Sequence, residues 1–257
     1  MSRRPAARRR AFALALGLSL WPVPDRAGAS PVSGRIGVVG MREPRAGSLL
    51  VGYHEAFLRD RDLDAFRMGV AGRYHESTLA RLLQNGDVGS RRAAVVALGL
   101  FGSYPSNGAV AGALKDVDPI VRSLADKALW AIWFRADTPE NNESLARISQ
   151  LIGRGRLAEA IEQADRLIAR SPDFAEAWNQ RAIAHCYSGM LAESVADCRE
   201  AVARNPYHTG AMSGMGQCLL RLGRRQEAIA ALRRALEVQP FNESLRDFIA
   251  AIEAGND

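Results

Sequence analysis

Lysine is almost missing from this chain, and cysteine is scarce. Lys115 and Lys127 are the only lysines, and Cys186, Cys198 and Cys218 the only cysteines. The thiols form no C-x-x-C pair, which excludes a thioredoxin-like motif and a zinc knuckle. Neither His54-Glu55 nor His75-Glu76 has a second histidine at the H-E-x-x-H spacing. Gly34, Gly37 and Gly40 do not make G-x-G-x-x-G, and no βαβ pattern follows them. Gly210 to Gly214, with Ser213, misses G-x-S-x-G by one residue. Carboxylates are plentiful but fall on solvated helix faces, with no pair set apart as an acid–base couple. The sequence therefore offers no established catalytic motif, and no metal-ligand or cofactor motif.

The formal charge is +6. Residues 1–29 hold six arginines and one aspartate, so five of the six net positive charges lie there. From Glu143 onward the balance is nearly neutral, with no basic run interleaved with aromatics, so no nucleic-acid partner is expected. Arg3, Arg4, Arg8, Arg9 and Arg10 precede the apolar run Ala11–Trp21, and Ala27-Gly28-Ala29 is a small-x-small cleavage site. This pattern reads as an export signal over residues 1–29 and predicts a periplasmic or extracellular protein, in an envelope complex. The run is 11 residues long, too short for the ~20 that span a bilayer as a helix. Arg9-Arg10-Ala11-Phe12 leaves Sec and twin-arginine export both open. An uncleaved N-terminus would instead mean a cytoplasmic adaptor. Residues 30–49, rich in Gly and Pro, read as an irregular lead-in, followed by short helices over Leu50–Asp60 and Leu63–Ala71.

What the chain does have is a fixed interval. Gly155, Gly189 and Gly223 are spaced 34 residues apart, as are Pro172, Pro206 and Pro240, and the small residues Ala160, Ser194 and Ala228. That period marks stacked helix–turn–helix units. In the second unit one helix runs from Phe174 to Ser188. Gly189 ends it, because glycine enters the left-handed conformation without a Cβ clash. The next helix runs from Leu191 to Arg204, and Pro206 blocks its extension. Trp178, Ala182 and His185 fall on one stripe that predicts burial. Met212, Gly216 and Leu219, then Ala228, Leu232 and Ala235, repeat the pattern in the third unit.

The segment "AEAWNQRAIAHCYSGMLAESVADCREAVARNP", with its Trp, Gly, Ala and Pro, resembles the tetratricopeptide repeat family. The resemblance implies an all-α, right-handed α-solenoid of helical hairpins. Its units are 141–174, 175–208 and 209–242, closed by a cap helix over "NESLRDFIAAIEAGND" that covers the last apolar face. The first unit matches less well, since Ser144 stands at the aromatic position and Arg147-Ile148 at the usual Leu-Gly. Upstream, Asp87 to Arg91 and Asp118 to Arg122 are 31 residues apart, with Ala94/Ala125, Ala97/Ala128 and Leu98/Leu129 in step. Residues 50–135 thereby resemble a pair of short HEAT repeats, in which an Asp and an Arg form a ladder between neighbours. Ordinary solvated charges are the other reading. Trp130, Trp133 and Phe134 lie at the junction, either as a buried seam or as an exposed aromatic patch.

By the tetratricopeptide resemblance, the groove-facing positions are Glu176, Asn179, Ile183, Cys186 and Tyr187 in the second unit. In the third they are Gly210, Ser213, Gln217, Leu220 and Arg221. The spacing of the first set does place it on one helical face. The mixed polarity suits an extended peptide or a helix held through amide contacts, so a non-enzymatic scaffold binding a protein or peptide partner is expected. The lysines with which some family members grip a C-terminal carboxylate are missing. Two features keep other readings open. Cys198 and Cys218 would either pair as a disulfide in an oxidising compartment or stay as buried thiols. Cys186 or a histidine would serve a hydrolase or redox enzyme, although adjacent His185 and Cys186 point about 100° apart on a helix.

Overall fold

In a computed structural model of the chain, residues 49–255 are described, and they lie in one compact unit. The export signal expected over 1–29 and nearly all of the lead-in fall outside the described residues. Thirteen α-helices and two short 3₁₀ turns make up the described part, with no strand among the described residues. Both short helices expected after the lead-in are present, α1 (Leu49–Asp60) and α2 (Leu63–Ala71). The upstream layer continues with α3 (Glu76–Asn85), α4 (Val88–Phe101), α5 (Asn107–Gly112) and α6 (Pro119–Trp133). Three hairpins follow: α7 (Pro139–Gly153) with α8 (Leu157–Arg170), α9 (Ala175–Ser188) with α10 (Leu191–Arg204), and α11 (Thr209–Arg221) with α12 (Arg225–Val238). The last helix is α13 (Glu243–Glu253).

The recurrent glycines act as their spacing requires. Gly155, Gly189 and Gly223 have φ of +74°, +83° and +72°, the left-handed region in which a Cβ is strained. Each reverses the chain between the two helices of a hairpin. Gly216 serves a different need: a Cβ there would come within 2.6 Å of Leu232 Cγ, so its absence sets how closely α11 and α12 approach. Ser194 plays the small-residue part in the hairpin before, and its hydroxyl donates to the Ala182 carbonyl at 2.8 Å. Met212, Leu219, Ala228, Leu232 and Ala235 are all buried. A buried Leu or Met side chain contributes about 1.5–3 kcal/mol. Consecutive helices pack, and the first helix of each hairpin also packs on the first helix of the next, α7 on α9 and α9 on α11. Leu245, Ile249 and Ile252 of α13 cover the end of the stack.

Trp178 departs from the sequence reading. It is half-buried rather than part of the core stripe, while Ala182 and His185 are buried. Its indole N–H donates to the Pro172 carbonyl at 2.8 Å, and the guanidiniums of Arg204 and Arg181 lie 4.5 and 4.9 Å from its ring centroid. Two cations over an aromatic face are an attractive electrostatic arrangement, so the residue tethers a turn rather than filling a cavity.

In the upstream layer, Asp87 and Asp118 cap α4 and α6 by accepting backbone N–H groups of Ser90, and of Ile120 and Val121. The Asp–Arg contacts between neighbours exist, shifted from the repeat positions. Arg91 forms a two-pronged pair with Asp116 at 2.7 and 3.0 Å, and Arg92 takes Asp118 at 2.5 Å. Arg122 instead donates to the carbonyls of Asp116 and Val117 in its own turn.

The junction tryptophans are a seam. Trp133 is buried, stacks on the His208 ring at 4.4 Å between centroids, and meets Trp130 edge-on at 5.2 Å. A Cβ on Gly210 would touch Trp130 at 2.9 Å. Polar bonds follow the same seam, and their donors and acceptors recur with the repeat. The residue preceding each repeat proline is Ser171, Asn205 or Gln239, and each reaches upstream. Ser171 Oγ donates to Asp137 Oδ2. Asn205 Oδ1 accepts from Asn107 Nδ2 at 2.9 Å. Gln239 Nε2 donates to Asp126 Oδ1 at 2.7 Å. Nearby, the Tyr104 hydroxyl donates to the Arg204 carbonyl at 2.9 Å, and the Arg122 guanidinium lies 4.2 Å from the Phe241 ring centroid. The upstream layer is thus fastened along the edge where one repeat passes to the next.

Asn107 is held in one orientation, because its Oδ1 accepts the Trp133 indole N–H at 2.8 Å. Its Nδ2 must then donate, and Asn205 supplies the acceptor with no exposure to water. Removing that acceptor leaves a buried N–H unpaired. Asn205→Ala is therefore expected to lower stability by about 1–3 kcal/mol, read as a lower urea midpoint at unchanged m-value. Gln239→Ala, at a half-buried site, is expected to cost less than about 1 kcal/mol. Equal, small effects at both positions would show that these bonds do not hold the layers together.

Candidate protein-binding face

The face is built by two helices lying side by side, α9 and α11. Helix α9 starts at the Phe174 N-cap and carries Glu176 in its first turn, where a carboxylate opposes the positive end of the helix dipole. Helix α11 starts at His208, whose Nδ1 accepts the Ala211 N–H at 3.2 Å. With Nδ1 accepting, the ring hydrogen sits on Nε2 and donates to Glu176 Oε2 at 2.8 Å. The other carboxylate oxygen, Oε1, accepts from Asn179 Nδ2 at 2.9 Å and from Gln180 Nε2 at 2.8 Å. Both Glu176 and His208 are fully buried. Glu176 therefore joins the two helices from within, and its oxygens face donors of its own chain.

The remaining positions divide into a floor and a rim. Asn179, Ile183, Cys186 and Gln217 are buried. Tyr187, Ser213 and Leu220 are half-buried, and Arg221 is exposed. The Arg221 guanidinium lies 3.6 Å from Cys186 Sγ, which brings these two predicted positions together across the helix pair. Gly210, under Trp130, belongs to the seam instead. Burial pushes the Tyr187 hydroxyl above its ordinary value. His208 was missed by the sequence reading. Its place at an N-cap, three residues before Ala211, was the available signal, but nothing local marks the stack on Trp133.

All three cysteines are free thiols and buried. The expected partner geometry is corrected: Cys218 lies against Cys186, Sγ to Sγ 3.1 Å, rather than against Cys198. Helix-face reasoning placed Cys198 on the Ser194 side, which holds, yet the register between α9 and α11 decides which thiols meet. Burial pushes the Cys198 thiol up beyond the ordinary range. His185 does not address Cys186. Its Nδ1 pairs with Asp197 Oδ2 at 2.9 Å. No group of three or more His, Cys, Asp or Glu side chains is arranged to hold a metal ion among the described residues. No described helix is long and apolar enough to cross a membrane.

Behind the face, Asp197 on α10 takes a two-pronged bond from Arg181 on α9, at 2.6 and 3.0 Å, besides its bond to His185. The same Arg181 reaches Asp165 on α8 at 2.6 Å, so one guanidinium ties three successive helices.

Residues 173–240 match the family model described as tetratricopeptide repeat. Among solved structures, the first tetratricopeptide domain of Spaghetti (RPAP3), bound to an HSP90 peptide, is 24% identical. The match covers 46% of this chain and 94% of that one at a TM-score of 0.44. The TPR2AB domain of yeast Sti1 in an HSP90 complex is 16% identical over 79% of this chain and 88% of that one, with a TM-score of 0.41. A thermophilic tetratricopeptide protein of Thermus thermophilus is 20% identical over 80% and 96%, with a TM-score of 0.36. No curated protein matches the chain. The stretch 173–240 is a tetratricopeptide repeat segment, the family that the segment from Ala175 to Pro206 resembles.

The Asp197 carboxyl gives this region a pH signature. Burial raises its pKa, but the bonds from His185 and Arg181 outweigh burial and leave it below the ordinary value. A folded value below the unfolded one means that the stabilisation is complete above about pH 4 to 5 and is lost as pH falls through the folded value. Thermal melts of the wild type are expected to fall more steeply on acidification below about pH 5 than melts of Asp197→Asn. Parallel profiles would show that the carboxylate gains nothing from its partners.

Proposed function

We propose that this tetratricopeptide-repeat protein is a non-enzymatic adaptor that holds an extended peptide or a helix of a partner protein against the α9–α11 face. The reading is carried by the side-by-side placement of α9 and α11, the first helices of two repeats. On this pair Tyr187, Ser213 and Leu220 are half-buried and Arg221 is exposed, above the buried Asn179 and Gln217. Amide groups on the floor suit the backbone of a peptide, which repeats a donor and an acceptor at every residue. Tyr187 and Leu220 offer apolar contact, and Arg221 offers a cation to a single carboxylate. The upstream helices, read as HEAT-like, brace the repeats so that the face is presented rigidly, which reduces the ordering cost of binding.

Arg221→Glu combined with Tyr187→Ala is expected to abolish recovery of the partner after cross-linking in the native cell, with an unchanged circular-dichroism melt. Retained recovery in that double variant would move the binding site elsewhere.

We further propose export, on the strength of the arginine cluster, apolar run and Ala27-Gly28-Ala29 site. Mass spectrometry of the protein from its native cell is expected to find Ser30 first. An intact Met1 end would place the same adaptor in the cytoplasm.

A further inference from the structure

The thiols of Cys186 and Cys218 stand where chemistry between them needs little motion. Their sulfurs are 3.1 Å apart and share a hydrogen bond. A disulfide bond requires an approach of about 1 Å more. They sit on different repeats, Cys186 near the end of α9 and Cys218 in α11, with 31 residues of chain between them. Ser194 Oγ lies 3.4 Å from Cys218 Sγ, and an Arg221 nitrogen lies 3.6 Å from Cys186 Sγ. Cys198 is buried on α10, and the close sulfur pair is Cys186 with Cys218.

We propose that Cys186 and Cys218 form a peroxide-responsive dithiol whose disulfide staples the two helices of the binding face. When Cys218 ionises, the Cys186 S–H is placed to donate to its thiolate, and the Ser194 hydroxyl reaches it by turning from the Ala182 carbonyl. Arg221 adds electrostatic attraction. These neighbours hold Cys218 below the ordinary thiol range against the opposing effect of burial, while Cys186 is pushed up by its bond to Cys218 and then by its own burial. The thiolate of Cys218 attacks one oxygen of a hydroperoxide and breaks the O–O bond. The products are a sulfenic acid at Cys218 and hydroxide or alkoxide, which takes up a proton. Cys186 sulfur then attacks Cys218 Sγ, loses its proton, and expels the sulfenic oxygen as water. Two thiols and one hydroperoxide thus give one disulfide, one water, and a second water or an alcohol. The two electrons lost by sulfur reduce the O–O bond. A buried site favours this oxidant, because hydrogen peroxide is far smaller than a protein disulfide donor.

The dithiol does not depend on what the face binds, and its test uses no partner. The full chain is treated with hydrogen peroxide, then unfolded, blocked with a thiol reagent and mapped by mass spectrometry. The reduced protein has three free thiols. The treated wild type is expected to retain one, on Cys198, with a Cys186–Cys218 cross-link that dithiothreitol removes. The oxidised form is expected to melt at a higher temperature than the reduced form. Cys198→Ala is expected to keep the cross-link. Cys186→Ala is expected to lose it and to carry Cys218 on to sulfinic acid, with no rise in melting temperature. Three surviving thiols, a Cys198–Cys218 link or a cross-linked dimer would overturn the proposal. Mapping of the wild type alone decides this, even where a variant does not fold.

Discussion

The bond from the residue before each repeat proline to the upstream helices is the constraint on which the rest of the structure depends. Ser171, Asn205 and Gln239 hold the same place in successive repeats, and each meets a polar partner in or at the end of the upstream layer. Helical hairpins in a solenoid contact only their neighbours, so such a stack flexes as a spring does. A second layer fastened at three successive turns removes that freedom. The stacking of Trp133 on His208 adds apolar area at the middle turn, where the Asn107–Asn205 bond is also buried.

The seam and the candidate face are one construction. His208 stacks on Trp133 with its ring face and holds Glu176 with its Nε2 hydrogen. Glu176 in turn fixes Asn179 and Gln180. An unbroken path of contacts therefore runs from α6 through the start of α11 to the floor formed by α9. Arg181 does the same behind the face, linking α8, α9 and α10 through Asp165 and Asp197. Side chains held from both sides have little conformational freedom left to lose, which is the physical meaning of a preorganised surface.

The parts of this architecture that depend on local chain chemistry were legible. Gly189 and Gly223 were readable as turns because only glycine takes that backbone conformation without strain. Helices α2 and α10 have the bounds their patterns predicted, since Pro206, Gly189 and the apolar period all act within a few residues. The seam was one of the two readings that three large aromatics at a short junction allowed. What escaped was whatever depends on register between elements distant in sequence. Cys218 meets Cys186 because of how α9 slides along α11, and helix periodicity carries no information about that offset. Trp178 reads as core by its place in the repeat, yet Arg204 and Arg181 draw it into the half-open space between two turns. Glu176 lies on the groove-facing side by spacing, but a histidine 32 residues away claims its carboxylate.

The three-point fastening also dictates where the chain tolerates change in length. An extra residue inside α9 or α10 would carry Asn205 away from Asn107, and every later turn with it, so the hairpins must keep one common span. The glycine turns do not share that burden. Nothing lies within 4 Å of where a Cβ would sit on Gly155, Gly189 or Gly223. The molecule has one edge ruled to a fixed gauge and an opposite margin open to inserted loops, tags or grafted domains.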